Sequence, residues 1–259
     1  MSGATIRELL ETKDLKIGTF LVEFSTPGIG QILAATGCQF AFVDLEHSGF
    51  SFETLKSMLR YLQAGNVPSI VRIPSKRYDH VARACDMGAE GIMVPMVETV
   101  EEAKSIIDSM KYVPTGKRGV ALRIAHDRYS GGPVLEKLDK ANRKTAFFPQ
   151  IETALGVENA DALAALEGVD CLWIGHFDLT CSMGIPGQFD HPTFIAAEKR
   201  VADACKKHGK SFGYLVQDVA AGVRLRQAGV DFLCYSGDVW LLQSALTDAI
   251  QQVREKTGI

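Results

Sequence analysis

The sequence predicts an α/β chain folded as one (β/α)8 (TIM) barrel domain over residues 1–259, on three observations. The first is a recurring punctuation of glycine, any residue and a polar residue, followed by an apolar run. It appears as GCQFAFV from Gly37, GAEGIMV from Gly88, GVDCLWI from Gly168 and GVDFLCY from Gly229. Each glycine follows a helix-like stretch, where it can adopt the left-handed conformation that stops a helix. The second is that these runs are continuously apolar, as in parallel strands covered on both faces. The third is the total of eight strand candidates alternating with helical stretches, the pattern of a barrel of ~250 residues.

In chain order, IGTFLVEF (17–24) supplies the first strand and the Gly37 run the second. PSIVRI (68–73) is the third, the Gly88 run the fourth and TAFFPQI (145–151) the fifth. The Gly168 run, KSFGYLV (210–216) and the Gly229 run complete the eight. Between them, apolar residues recur at helical spacing: Phe52, Leu55, Met58, Leu59 and Leu62, then Val100, Ala103, Ile106, Ile107 and Met110. A last helix carries Leu241, Leu242, Ala245, Leu246, Ala249, Ile250 and Val253. A doubly wound open sheet is the competing arrangement, but its glycine-rich turn is missing after the first strand, where the chain reads EFSTPGIG. Residues 113–144 form the one connection too long for an ordinary link. Their Arg118, Arg123 and Arg128 are expected to meet an acidic acceptor or a neighbouring subunit.

A net charge of −3, with 23% charged residues, gives no electrostatic reason to expect nucleic acid or an anionic membrane as partner. No apolar stretch approaches the ~20 residues of a membrane span. Charges at Arg7, Glu8, Glu11, Lys13, Asp14 and Lys16 are incompatible with a secretion signal. The six cysteines form no CxxC pair and read as reduced thiols of a cytoplasmic protein.

In a barrel the chemistry sits at the C-terminal ends of the strands. Here those ends carry Asp44, Glu46 and His47, then Arg72, then Gln150 and Glu152, then His176, Phe177 and Asp178, and finally Ser236 and Asp238. Glu152 and Asp178 on neighbouring strands would repel each other unless a cation lies between them. An all-oxygen donor set suits Mg2+, Mn2+ or a similar hard ion better than zinc. Arg72 interrupts an apolar strand, and its guanidinium is suited to a substrate carboxylate or a developing enolate. His47 is the natural acid–base group, with Asp44 or Glu46 available to hold one ring nitrogen. The other histidines read as surface residues, Trp173 and Trp240 as packing, and the PGIG glycines as a turn. Asp238 would repel a phosphate at the eighth strand.

The ordered set DLEH (44–47), VRIP (71–74), MVPMVETVEEA (93–103), KRGV (117–120), QIET (150–153) and IGHFDLT (174–180) resembles the HpcH/HpaI aldolase/citrate lyase family, the metal-dependent class II pyruvate aldolases. The resemblance implies Glu152 and Asp178 as ligands of Mg2+, Mn2+ or Co2+. It implies Arg72 as the enolate-stabilising residue, His47 as acid–base catalyst and Asp44 as its partner. Substrate contacts are expected at Arg72, Gln150, His176, Phe177 and Asp178. The expected partners are a small 2-oxo acid and an aldehyde, and the expected assembly is a homo-oligomer, a hexamer built as a trimer of dimers with exchanged C-terminal helices. One departure stands out: Gly175-His176-Phe177-Asp178 replaces the Gly-Pro-Ala/Asn-Asp of many members.

The implied reaction is reversible aldol cleavage of 4-hydroxy-2-oxo acids. A CoA-thioester lyase or a 2-oxo-acid decarboxylase could share the same metal site. A Schiff-base aldolase lacks a suitably placed lysine, since Lys16 and Lys210 lie at strand starts. A non-catalytic barrel leaves the converging charges unexplained.

Overall fold

All eight apolar runs are parallel strands in the computed structural model, which describes residues 4–258. They are β1 (Lys16–Leu21), β2 (Phe40–Asp44), β3 (Ser69–Arg72), β4 (Gly91–Val94), β5 (Ala146–Ile151), β6 (Cys171–Ile174), β7 (Ser211–Val216) and β8 (Phe232–Gly237). Each pairs with its neighbours in sequence, and β1 pairs with β8 to close the barrel. This is a (β/α)8 barrel. The glycines at 37, 88, 168 and 229 have φ of 79°, 94°, 92° and 104°, the left-handed values that the helix-stop reading requires.

Helices alternate with the strands: α1 (Ile6–Leu10), α2 (Ile29–Ala35), α3 (Phe52–Ala64), α4 (Tyr78–Asp86), α5 (Val100–Met110), α6 (Val134–Lys144), α7 (Ala154–Glu158), α8 (Ala160–Ala165), α9 (His176–Ser182), α10 (Pro192–Lys207), α11 (Val219–Gln227) and α12 (Asp238–Thr257). Alternate residues of the strands face opposite ways, so the sheet serves two cores. Val43, Val71, Ile92, Phe147, Leu172 and Leu233 pack outward against the helices. Phe20, Phe42, Ile70, Phe148, Trp173 and Phe232 fill the barrel, joined by Ile6 of α1.

The 113–144 segment departs from a structureless loop, since it holds a 3-10 turn (Ala125–Asp127) and α6. Its residues do not line the barrel mouth: Arg118 is buried, paired with Asp86 and set over the Tyr112 ring. Arg123 and Arg128 are likewise absent from the lining of the mouth cavity. Two histidines expected at the surface are also partly enclosed: His80 Nδ1 lies 2.8 Å from Ser75 Oγ, and His126 Nε2 lies 2.7 Å from the Ala121 carbonyl. Among the described residues no helix is long and apolar enough to cross a membrane.

Candidate active site

Strand register builds the centre of the site, because Asp44 at the end of β2 is paired directly with Arg72 at the end of β3. Arg72 Nε donates to Asp44 Oδ1 at 2.7 Å and lies 3.1 Å from Glu46 Oε2. Its guanidinium sits 5.5 and 5.6 Å from the ring centres of Phe20 and Phe42. Burial acts to lower the Arg72 pKa, but the bond and charge of Asp44, with Glu46 and Glu152, hold it above the ordinary value. Both ion pairs engage Nε, so the terminal nitrogens have no protein acceptor among the described residues.

Asp44 does a different job from the one expected of it. Its Oδ1 accepts the Glu46 N–H at 3.1 Å and its Oδ2 the His47 N–H at 2.9 Å, shaping the turn that carries the imidazole. The ring itself has only Glu46 near it, with Nε2 3.8 Å from Glu46 Oε2, and 63% of the His47 side chain is exposed. Asp44 is thus the partner of Arg72 and of the His47 backbone, not of the His47 ring.

Glu152 is 2% exposed, and its Oε2 accepts the Met96 N–H at 2.9 Å. Met96 takes a φ of 56° to present that N–H. Burial pushes the Glu152 pKa up to about 7; the Met96 bond opposes this, and the Glu46 and Asp178 charges add to it. The neighbouring position must be glycine, since a Cβ on Gly175 would stand 2.1 Å from Glu152 Oε1. Gln150 is buried with its Oε1 unbonded, and Asp178 stands exposed in the first turn of α9. Among the described residues no three His, Cys, Asp or Glu side chains converge as a ready-made metal site. Glu152 and Asp178 nonetheless fit a hard divalent cation: a buried carboxylate under the repulsion of two others gains from a nearby positive charge. Such an ion would take its remaining ligands from water and substrate oxygens.

These groups share a cavity of about 350 Å3 at the barrel mouth. His47, Arg72, Gln150, Glu152, His176, Phe177 and Asp178 all line it. His176 stacks on Tyr214 at 5.4 Å with ring planes 14° apart, and burial lowers its pKa to about 4. Trp240, expected only to pack, lines the mouth and stacks on Phe20. Asp238, directly after β8, is tied to the chain leaving β1: its oxygens accept the N–H groups of Val22, Glu23, Phe24 and Val239.

The HpcH/HpaI aldolase/citrate lyase family model matches residues 16–245. This chain belongs to that family. As an HpcH/HpaI family member it is a carbon–carbon lyase of the aldolase type, from a metal-dependent family. It is 32% identical to a hydroxypyruvate/pyruvate aldolase of Paraburkholderia phytofirmans, over 96% of this chain and 97% of that one. It is 31% identical to a 5-keto-4-deoxy-D-glucarate aldolase of Shigella boydii, over 91% of each chain. The solved structure of an HpcH/HpaI aldolase from Desulfitobacterium hafniense superposes with a TM-score of 0.91 at 30% identity, covering 97% of both chains.

Proposed function

We propose that this barrel domain catalyses the reversible cleavage of 4-hydroxy-2-oxo acids to pyruvate or hydroxypyruvate and an aldehyde. The observation that carries the reading is the buried Arg72, held through Nε by Asp44 and 3.1 Å from Glu46, lining the same cavity as Glu152 and Asp178. Two relatives named for aldolase reactions support it.

In cleavage, the C3–C4 bond breaks, its electron pair becomes the enolate of the 2-oxo acid, and C4 becomes the aldehyde carbon as its hydroxyl loses a proton. Arg72 binds the carboxylate or oxo oxygen and stabilises the charge that grows there. His47 removes the C4 hydroxyl proton, and a proton must then reach C3 to release the donor acid. Gln150 and the turn His176-Phe177-Asp178 hold the donor. Glu152 and Asp178 would hold Mg2+, Mn2+ or Co2+, which supplies Lewis-acid stabilisation of the same enolate. In the synthetic direction the steps reverse.

The test is a pair of reactions that share the enolate. Arg72→Ala is expected to lose both aldol cleavage and pyruvate C3 proton exchange by about a thousandfold, the scale of a removed oxyanion donor. Arg72→Lys should rescue little of either, because an ammonium lacks the planar fork. His47→Ala should damage cleavage far more than exchange. Equal loss of both in His47→Ala refutes the division of labour, and full activity after EDTA treatment refutes the metal-dependent reading.

The assembly we propose is a homo-oligomer, a hexamer arranged as a trimer of dimers. Supporting it, Leu241, Leu242, Leu246, Ile250 and Val253 of α12 are all exposed in the single chain. The compartment we propose is the cytoplasm, in keeping with six cysteines that form no disulfide.

A further inference from the structure

The barrel mouth is divided chemically into two arcs. Asp44, Glu46, His47, Arg72, Glu152 and Asp178 come from the ends of β2, β3 and β5 and from the start of α9. The arc running from β7 through β8 to β1 offers the cavity Leu215, Trp240, Phe20 and Val22, with Gln217 as its polar member and no charged side chain. Trp240 stacks on Phe20 with centroids 5.8 Å apart and planes at 5°, and Phe20 meets Phe42 edge-on at 4.7 Å. A second aromatic wall stands at the end of β6, where Phe177 lies 4.7 Å from His176 and 5.1 Å from Phe189. In the single chain Trp240 is 38% and Phe177 59% exposed.

We infer that the apolar arc is the acceptor subsite, and that it selects aldehydes bearing an aromatic substituent over hydroxylated or carboxylated ones. The inference rests on the aldol reading of the polar arc. The donor acid carries its charge to Arg72, so the bond made at its C3 extends away from the polar arc, toward the arc opposite. His47, on the β2 turn next to β1, stands where the two arcs meet, beside the C4 hydroxyl of such an adduct.

The choice among aldehydes follows from what the apolar arc can repay. A second carboxylate would find no cation in that arc, while the carboxylates of Glu152 and Asp178 line the same cavity. A polyhydroxylated chain would surrender several hydrogen bonds to water and regain few, from Gln217. A flat ring loses nothing of that kind, and it gains apolar burial and stacking against Trp240 in the apolar arc. A hydrophobic subsite of this sort discriminates by roughly 10–200-fold.

The test compares retro-aldol kcat/KM for the pyruvate adducts of benzaldehyde, glycolaldehyde and glyoxylate, using wild-type enzyme loaded with Mg2+ or Mn2+. The benzaldehyde adduct is expected to exceed each of the others at least tenfold. Trp240→Ala should cut that preference about tenfold, and Trp240→Phe should keep most of it. Leu215→Arg, which places a cation in the apolar arc, should raise turnover of the glyoxylate adduct several-fold, a gain that misfolding cannot produce. Pyruvate C3 proton exchange, measured alongside, needs the donor alone. Exchange without an aryl preference overturns this inference and leaves the aldol reading standing; absence of exchange in the wild type overturns both.

Discussion

Glu152 shows how a single carboxyl ties the site to pH. Its pKa of about 7 lies above the ordinary 4.5, so folding favours the protonated form. The resulting stability is fully present below pH 4.5 and is lost as pH rises through 7, amounting to as much as about 3 kcal/mol for a shift of this size. Metal-free protein should therefore show a urea midpoint that falls between pH 4.5 and 7. Glu152→Gln should flatten that fall, and a bound divalent cation should reverse it. An unchanged pH slope in the Gln variant would remove Glu152 as its source. At this scale the acidic and basic site residues were legible because charges at the ends of apolar strands are costly without a purpose. The true partner of Asp44 was not legible, because it lies on the adjacent strand 28 residues away and only the register reveals it. Phe20 and Trp240 were hidden for a different reason: an aromatic at a strand or helix position looks the same in sequence whether it fills a core or lines a mouth.

At the scale of elements, Asp238 fastens the start of α12 to the chain leaving β1. Its carboxylate accepts from Val22 and Glu23 and, at 2.7 Å, from Phe24, as well as from its own neighbour Val239. Asp238→Ala would leave those partly buried N–H groups without an acceptor, at a cost of about 2–3 kcal/mol. For a chain of this size that corresponds to a melting point lower by roughly 4–10 °C, measurable by calorimetry. Gly30 offers a second check. It lies inside α2, contrary to the turn expected there, and a Cβ on it would stand 2.0 Å from the Tyr61 carbonyl of α3. Gly30→Ala should force α2 and α3 apart and destabilise the fold, with a loss of soluble yield as the first sign. The strands were readable because each is a largely apolar run, four of them announced by a glycine that stops the preceding helix. Helix α6 escaped notice because Leu138 is its only buried residue, too little for an apolar stripe to show.

For the whole molecule, the proposed assembly places α12 at the contact between subunits. Its exposed leucines, isoleucine and valine predict that sedimentation will find an oligomer, and that deleting residues 243–259 will release smaller species. A monomeric wild type at micromolar concentration would refute this. The closed ring was legible from counting strands, whereas its chemical division was not, because each arc gathers residues far apart in sequence. That division has a consequence for how the mouth comes into being. The polar arc is encoded within residues 44–178, an unbroken middle portion of the chain. The apolar arc is contributed by its two flanks, 20–22 and 215–240, which meet only across the β1–β8 seam, where the register shifts between Gly18 and Phe20. A ribosome thus delivers the donor half well before the acceptor half, and the wall facing the aldehyde exists only once the ring has shut. Selectivity should also be the first property to fail when the seam loosens: low urea should erode discrimination among aldehydes before it slows proton exchange on the donor.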